Sequence, residues 1–295
     1  MSLSSKDKLF YEEHGYLVVE RLLGPAVLER VRAAIADLVD RSRTVEASNE
    51  IYDLGPGHAP ETPRVRRIKH PHRRHPAFDA VRRSPEIVDI VAELLGGTVR
   101  FDHAKLNFKP AGAQAAVEWH QDWAFYPHTN DDLLAVGVMI EDCTTDNGPL
   151  MVLPGSHRGP VFDHHHDGLF VGAIDPQDIG DLLPGAVALT APAGSISLHH
   201  VRTIHGSRDN TSASTRPLLL FSYAAVDAFP VFAQPDLTDF DGRILRGAPT
   251  LDARQTAVPV RIPEPRTPHA DSIFENQAAV HGRSFDQPPI AAPLG

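Results

Sequence analysis

The chain is short of the residues on which several protein classes depend. It has one cysteine, Cys143, so no disulfide can form within it and nothing points to an oxidising compartment. No apolar run approaches the ~20 residues needed to cross a bilayer. The opening stretch, Met-Ser-Leu-Ser-Ser, carries no apolar signal segment. A cytoplasmic protein with no membrane partner is therefore expected. Lysine and arginine are outnumbered 28 to 38 by acids, for a net charge of −10. That leaves no basic footprint for a phosphate backbone and argues against a nucleic-acid partner. What is present is an ordinary globular balance, 42% hydrophobic and 22% charged, enough for a sizeable core. Seventeen histidines are many for 295 residues and are the first sign of chemistry.

No composition break divides the chain, so one domain over residues 1–295 is expected. Residues 1–97 read as a helical layer. Pro25 opens a run in which Leu28, Val31, Ile35 and Leu38 recur at helical spacing, with Gly24 at the cap. Ser84-Pro85 opens another, with Ile87, Ile90, Val91 and Leu94 inward and Gly96-Gly97 at its end. Tyr16 to Glu20 reads as an isolated strand. Residues 44–75, with the basic cluster "RVRRIKHPHRRH", read as loop and short strand near a binding surface. From 98 to 226 short β-prone runs alternate with Gly, Pro, Asn and Asp, the pattern of a sandwich or barrel. Residues 227–295 form a proline-rich extension, with eight of the 26 prolines after position 248, expected to lie irregularly over the core or to be partly flexible.

The stretch "EWHQDWAFYP" places His120 and Asp122 two apart. On a strand they would share a face while Gln121 points away. Such a pair is a metal half-site, and His205 in "TIHGSRDN" is the candidate to complete it, because two packed sheets bring distant strands together. Two histidines and a carboxylate with open positions suit non-haem Fe(II) oxygenases, where dioxygen and a chelating cosubstrate must both reach the metal. Arg216 heads the apolar run "RPLLLFSYAAV". A buried guanidinium requires an anionic partner, and its planar fork fits a carboxylate. A 2-oxo acid held by metal at one end and Arg216 at the other satisfies both features. Ser207 and Asn210 add a hydroxyl and an amide beside His205.

The segments "WHQDWAFYPHTNDDLLAVGVMIEDCTTDNGPLMVLPGSHRG", "HGSRDNTSASTRPLLLFSY" and the N-terminal "FYEEHGYLVVERLL" resemble the phytanoyl-CoA dioxygenase (PhyH) family of Fe(II)/2-oxoglutarate oxygenases, over most of residues 8–226. The resemblance implies a mainly β fold with flanking helices, a double-stranded β-helix of the jelly-roll, cupin-like kind. It implies that His120, Asp122 and His205 ligate Fe(II). Arg216, assisted by Ser207, would bind the distal carboxylate of 2-oxoglutarate, and Asn107 and Lys69 would be further cosubstrate contacts. The implied activity is hydroxylation of a small organic metabolite by O2, with release of succinate and CO2. The carboxylate at Asp122, where related halogenases carry a small residue, points away from halogenation. Val138 stands where human phytanoyl-CoA hydroxylase has a tryptophan, which would reshape the pocket beside the cosubstrate.

The remaining readings stay open at this level. Trp123, Phe125, Tyr126 and His128 are candidates for the substrate pocket, and aromatics there fit a partly apolar substrate. Arg66, Arg67 and Lys69 point to an anionic group on it. His164, His165 and His166 read as an exposed loop near the entrance, and His157 as structural. His199 and His200 are consecutive, so one is expected inside the fold and the other aimed at the pocket. Desaturation, epoxidation or ring closure would use the same triad. A cupin-type metalloenzyme without 2-oxoglutarate would need no Arg216, and a non-catalytic binding protein would not need every ligand position filled. A monomer or homodimer is expected.

Overall fold

A computed structural model describes residues 2–112, 115–232, 236–262, 266–269, 272–278, 280 and 283–286. The helical layer comprises α1 (Ser5–His14), α2 (Pro25–Arg41), α3 (Pro76–Arg82) and α4 (Pro85–Leu94), with short strands β1 (Tyr16–Val19), β2 (Tyr52–Leu54) and β3 (Val65–Lys69) between them. The local chemistry explains the helix ends. Ser4 and Asp7 form a reciprocal capping box on α1. Pro25, Pro76 and Pro85 each open a helix, where a missing N–H is not needed. Gly15 ends α1 in the left-handed region at φ 76°, and a Cβ there would lie 2.3 Å from His157 Nδ1. Only glycine allows that conformation and that approach together.

The remaining strands are β4 (Val99–Lys109), β5 (Val117–His120), β6 (Leu133–Met139), β7 (Leu150–Val152), β8 (His165–His166), β9 (Leu169–Phe170), β10 (Val187–Leu189), β11 (Ile196–His200), β12 (His205–Ser207), β13 (Arg216–Ala224) and β14 (Ile244–Arg246). A major sheet runs β1-β11-β6-β13-β4-β3-β2, with β14 also on β4. A minor sheet runs β10-β7-β12-β5, and β8 and β9 form a separate hairpin. From β4 to β13 the chain passes back and forth between the two large sheets, which makes the expected double-stranded β-helix. Tyr16–Val19 is not isolated: it pairs antiparallel with β11 and edges the major sheet. Its short alternating sequence gave no sign of a partner about 180 residues away.

Every residue of β6 and β13 is buried, because helices cover one face of the major sheet and the interior of the roll covers the other. On the helix side Leu134, Val136, Val138 and Ile140 pack in one core with Val31, Leu38, Phe78, Ile87 and Ile90. Each such side chain contributes roughly 1.5–3 kcal/mol when fully buried. The opposite face of β6 and β13 turns Ala135, Leu218 and Leu220 into the roll, where they line a cavity.

Candidate metal and cosubstrate site

His120 ends β5 and His205 begins β12, and the two are direct antiparallel partners in the minor sheet. Asp122 is not on the strand. Gln121 is still extended, and Asp122 opens a short 3-10 turn, Asp122–Ala124, that swings its carboxylate back toward the imidazoles. The candidate ligand atoms of His120, Asp122 and His205 all lie within 4.8 Å of one another, and all three residues are buried. His120 Nδ1 donates to the Glu118 carbonyl at 2.7 Å, and His205 Nδ1 to that of Thr203 at 2.9 Å. Those bonds fix the tautomers and leave each Nε2 lone pair free for a metal.

The electrostatics agree with ligation. Burial lowers the His120 pKa to about 4 and that of His205 well below its ordinary value, with His120 and His199 adding to the latter. Both rings are thus neutral, as ligation requires. Burial by itself would raise the Asp122 carboxyl. Lys105, then His199 and His205, outweigh it and hold the group well below the usual carboxylate range.

The motif's middle residue is structural. Gln121 is fully buried and points away from the ligands. It donates to the carbonyls of Pro160 and Arg202 and accepts from Phe162 N–H. Its own backbone N–H donates to His164 Nε2 at 2.8 Å, while His164 Nδ1 donates to the Phe162 carbonyl. His164 is therefore not an exposed loop residue but a buried strut under the peptide joining the two candidate ligands of the motif. Its neighbours gave no hint of burial, since three consecutive histidines read as solvated.

Two cavities meet at the triad. The narrower runs into the roll past Asn107, His199, Ser207, Arg216 and Leu218. Arg216 is 4% exposed, and its guanidinium donates to the carbonyls of Asn147 and Gly148. Among the described residues no carboxylate is bonded to it. Lys109, its cross-strand partner, is a second buried basic group and donates to the carbonyls of Ala115, Ser207 and Arg208. A buried guanidinium satisfied only by carbonyls is a fitting receptor for one end of a dicarboxylate. Asn107 Oδ1 accepts from Arg67 Nε at 2.9 Å on the same wall.

The wider cavity, about 490 Å³, opens outward past Arg67, Lys69, Lys105, Phe125, Tyr126 and Ile273. Lys69 thus lies on the outer cavity, not beside Arg216. Lys105 faces both cavities. Burial lowers its pKa, with Asp122 pulling in the other direction. Sequence reasoning did not single out Lys105, because a lysine on a strand ordinarily points to water.

Three expected pocket residues are placed elsewhere. Val138 faces the helices in the main core, and Ala135 is the residue of β6 that lines the inner cavity. Alternation decides this, since 135 and 138 lie on opposite faces. Trp123 packs with Leu133, Val201 and Ala225 and donates to the Pro259 carbonyl, away from both cavities. His128 is 4% exposed, donates to the Tyr126 carbonyl and lines neither cavity.

The proline-rich extension supplies a roof. The short helix α7 (Ile273–Gln277) places Ile273 and Phe274 against the inner cavity. Phe274 lies under the guanidinium groups of Arg66 and Arg67, 5.3 and 5.4 Å from its ring centre. Ser272 donates to Asp53 on β2, and Gln277 accepts from Glu118 N–H on β5 while donating to the Gly172 carbonyl. Nothing in the composition of that tail marked these residues as cavity-lining.

Comparison with known proteins agrees with this geometry. Over 274 residues the chain is 36% identical to a probable alpha-ketoglutarate-dependent hypophosphite dioxygenase of Stutzerimonas stutzeri, spanning 92% of this chain and 96% of that one. It is 36% identical over 168 residues, half of its length and 63% of the other, to L-proline trans-4-hydroxylase of Streptomyces griseoviridis. The fold is similar to the crystal structure of EctD from S. alaskensis with bound Fe, with a TM-score of 0.67 at 23% identity, covering 86% of this chain and 88% of that one. No helix among the described residues is long and apolar enough to cross a membrane. The sequence model of the family Phytanoyl-CoA dioxygenase (PhyH) matches residues 11–218. The chain therefore belongs to the phytanoyl-CoA dioxygenase family and is an iron- and 2-oxoglutarate-dependent dioxygenase.

Proposed function

We propose that His120, Asp122 and His205 hold the iron, that Arg216, with Ser207 and Asn107, holds 2-oxoglutarate, and that the substrate oxidised is a compact anion. Bound iron supplies the activation of dioxygen that couples decarboxylation of 2-oxoglutarate to oxidation of the substrate. The residues around it do the rest. Arg216 orients the cosubstrate through its distal carboxylate, while Phe125 and Ile273 narrow the outer cavity and exclude water. The observation that carries the substrate reading is the wall of Arg67, Lys69 and Lys105 on that cavity, in a protein whose net charge is −10. Cations gathered at one mouth against the overall charge favour an anion there. The relative from S. stutzeri, which matches nearly end to end, is named for hypophosphite, a small phosphorus oxyanion. Hypophosphite is therefore the first candidate, followed by short phosphonates and carboxylates. The single buried cysteine and the net charge of −10 support a cytoplasmic location with no nucleic-acid partner.

The test is substrate-stimulated succinate release from the iron-loaded enzyme, screened over small anions and over neutral and zwitterionic compounds such as proline and ectoine. Stimulation by an anion, with its KM raised in Lys69→Ala and the KM for 2-oxoglutarate unchanged, supports the reading. Stimulation only by uncharged or zwitterionic compounds overturns it.

A further inference from the structure

His199, on β11 of the major sheet, is 1% exposed and points into the inner cavity. Among the described residues neither of its ring nitrogens has a hydrogen-bond partner. An imidazole withdrawn from water without partners is costly, and buried polar groups are rarely left so. Its ring centre lies 4.3 Å from that of His205. Its Nε2 lies 3.5 Å from Asp122 Oδ2, long for a hydrogen bond. The other carboxylate oxygen, Oδ1, is the one that faces His205 Nε2, at 4.0 Å. The two oxygens of Asp122 are thus divided, Oδ1 toward the other ligands and Oδ2 toward His199.

We propose that His199 is a positioning residue for the metal: its Nε2–H donates to Asp122 Oδ2 and so presents Oδ1 to the iron. A ligating carboxylate needs such a partner to hold its orientation, and loss of one typically costs 10–100-fold in metal affinity, by the order of magnitude seen elsewhere. Lys105 and the Tyr126 hydroxyl also face Asp122. Lys105 acts as a charge from the opposite wall, and Tyr126 arrives from the turn that Asp122 itself opens. His199, like Lys105, comes from the major sheet, and a hydrogen bond from its ring ties the carboxylate to the roll as a whole. Asp122 is the ligand off the strand, and it is the one that requires that tie.

The experiment measures Fe(II) affinity anaerobically on the full chain for His199→Leu and His199→Gln, beside the thermal midpoint of each metal-free protein. In His199→Leu the Fe(II) Kd should rise roughly 10–100-fold. Its metal-free midpoint should hold or rise, because an unpartnered polar group has been replaced by an apolar one. His199→Gln restores an N–H donor and should recover most of the affinity. Unchanged Fe(II) affinity in His199→Leu overturns the proposal. So does a glutamine variant no better than leucine, which would mean that the ring only fills space. If neither variant folds, ¹⁵N-histidine spectra of the Zn(II)-loaded wild-type protein decide. A slowly exchanging proton on His199 Nε2 supports the assignment, and a ring protonated at Nδ1 alone overturns it. Wild-type protein that binds no Fe(II) at all would instead strike at the triad.

Discussion

The minor sheet builds its part of the site from strands of three and four residues, whereas the major sheet uses β4 and β13, of eleven and nine. Two of the proposed metal ligands sit on the short strands, and each is fixed by a bond to a carbonyl two residues back plus one cross-strand pair. Arg216, Asn107, Lys105 and His199 sit on the major sheet, where position depends on register held over many residues. Both ends thus depend on strand pairing, but the histidines of the metal end rest on one cross-strand pair and a local bond each, whereas the cosubstrate end rests on register held over many residues, so the two should respond differently to substitution.

The largest effect is expected from Asp122→Ala or His205→Ala. Either should remove Fe(II) binding in an anaerobic titration and reduce succinate release to background, while 2-oxoglutarate still binds the clamp weakly. Next is Arg216→Met. It removes the buried guanidinium and should weaken 2-oxoglutarate by roughly 2–5 kcal/mol, the usual cost of truncating a buried charge pair. That is about 30-fold or more in KM. Fe(II) affinity should stay near wild type, and a parallel loss of both would dissolve the distinction between the sheets.

Acid should act more gradually. Burial depresses the His164 and His200 pKa values to about 3. The unfolded chain, with ordinary values near 6.5, therefore binds more protons between those limits. The stability from keeping these rings neutral is complete above about pH 6.5 and falls as pH drops toward 3, by about 1.4 kcal/mol per unit for each ring. Urea unfolding at pH 7.5, 6 and 5 should show that slope, and His164→Gln should reduce it by about one proton. A slope of opposite sign would contradict the buried neutral assignment. The smallest effect is expected from Gln277→Ala, which cuts two side-chain bonds from the roof, one to β5 and one to the loop at Gly172, roughly 1–3 kcal/mol. Succinate released without substrate should increase as the roof loosens. Unaltered coupling would leave α7 as a cover only.

Sequence reasoning reached the triad because the spacing of His120 and Asp122 and the motif around His205 are local features. It reached Arg216 because a charge heading an apolar strand contradicts its own surroundings. It misplaced Val138 and Trp123 because facing is decided by strand parity and by where a turn begins. The strand ends at His120, so alternation no longer holds at Trp123. It passed over the burial of His164 and gave His199 only as one of two possibilities. His128 and His164 show why: each donates Nδ1 to a carbonyl two residues back, just as His120 and His205 do, yet neither meets a metal partner.

The sequence by itself determined the element types, the two-sheet pattern and which residues could bind a metal or a carboxylate, since these follow from hydrophobic period, turn chemistry and donor type. Only the tertiary structure decided which histidines converge, which lysine turns inward and what the proline-rich tail covers. Those outcomes depend on pairing between strands tens of residues apart. No local property of a side chain encodes which neighbour the folded chain will bring to it.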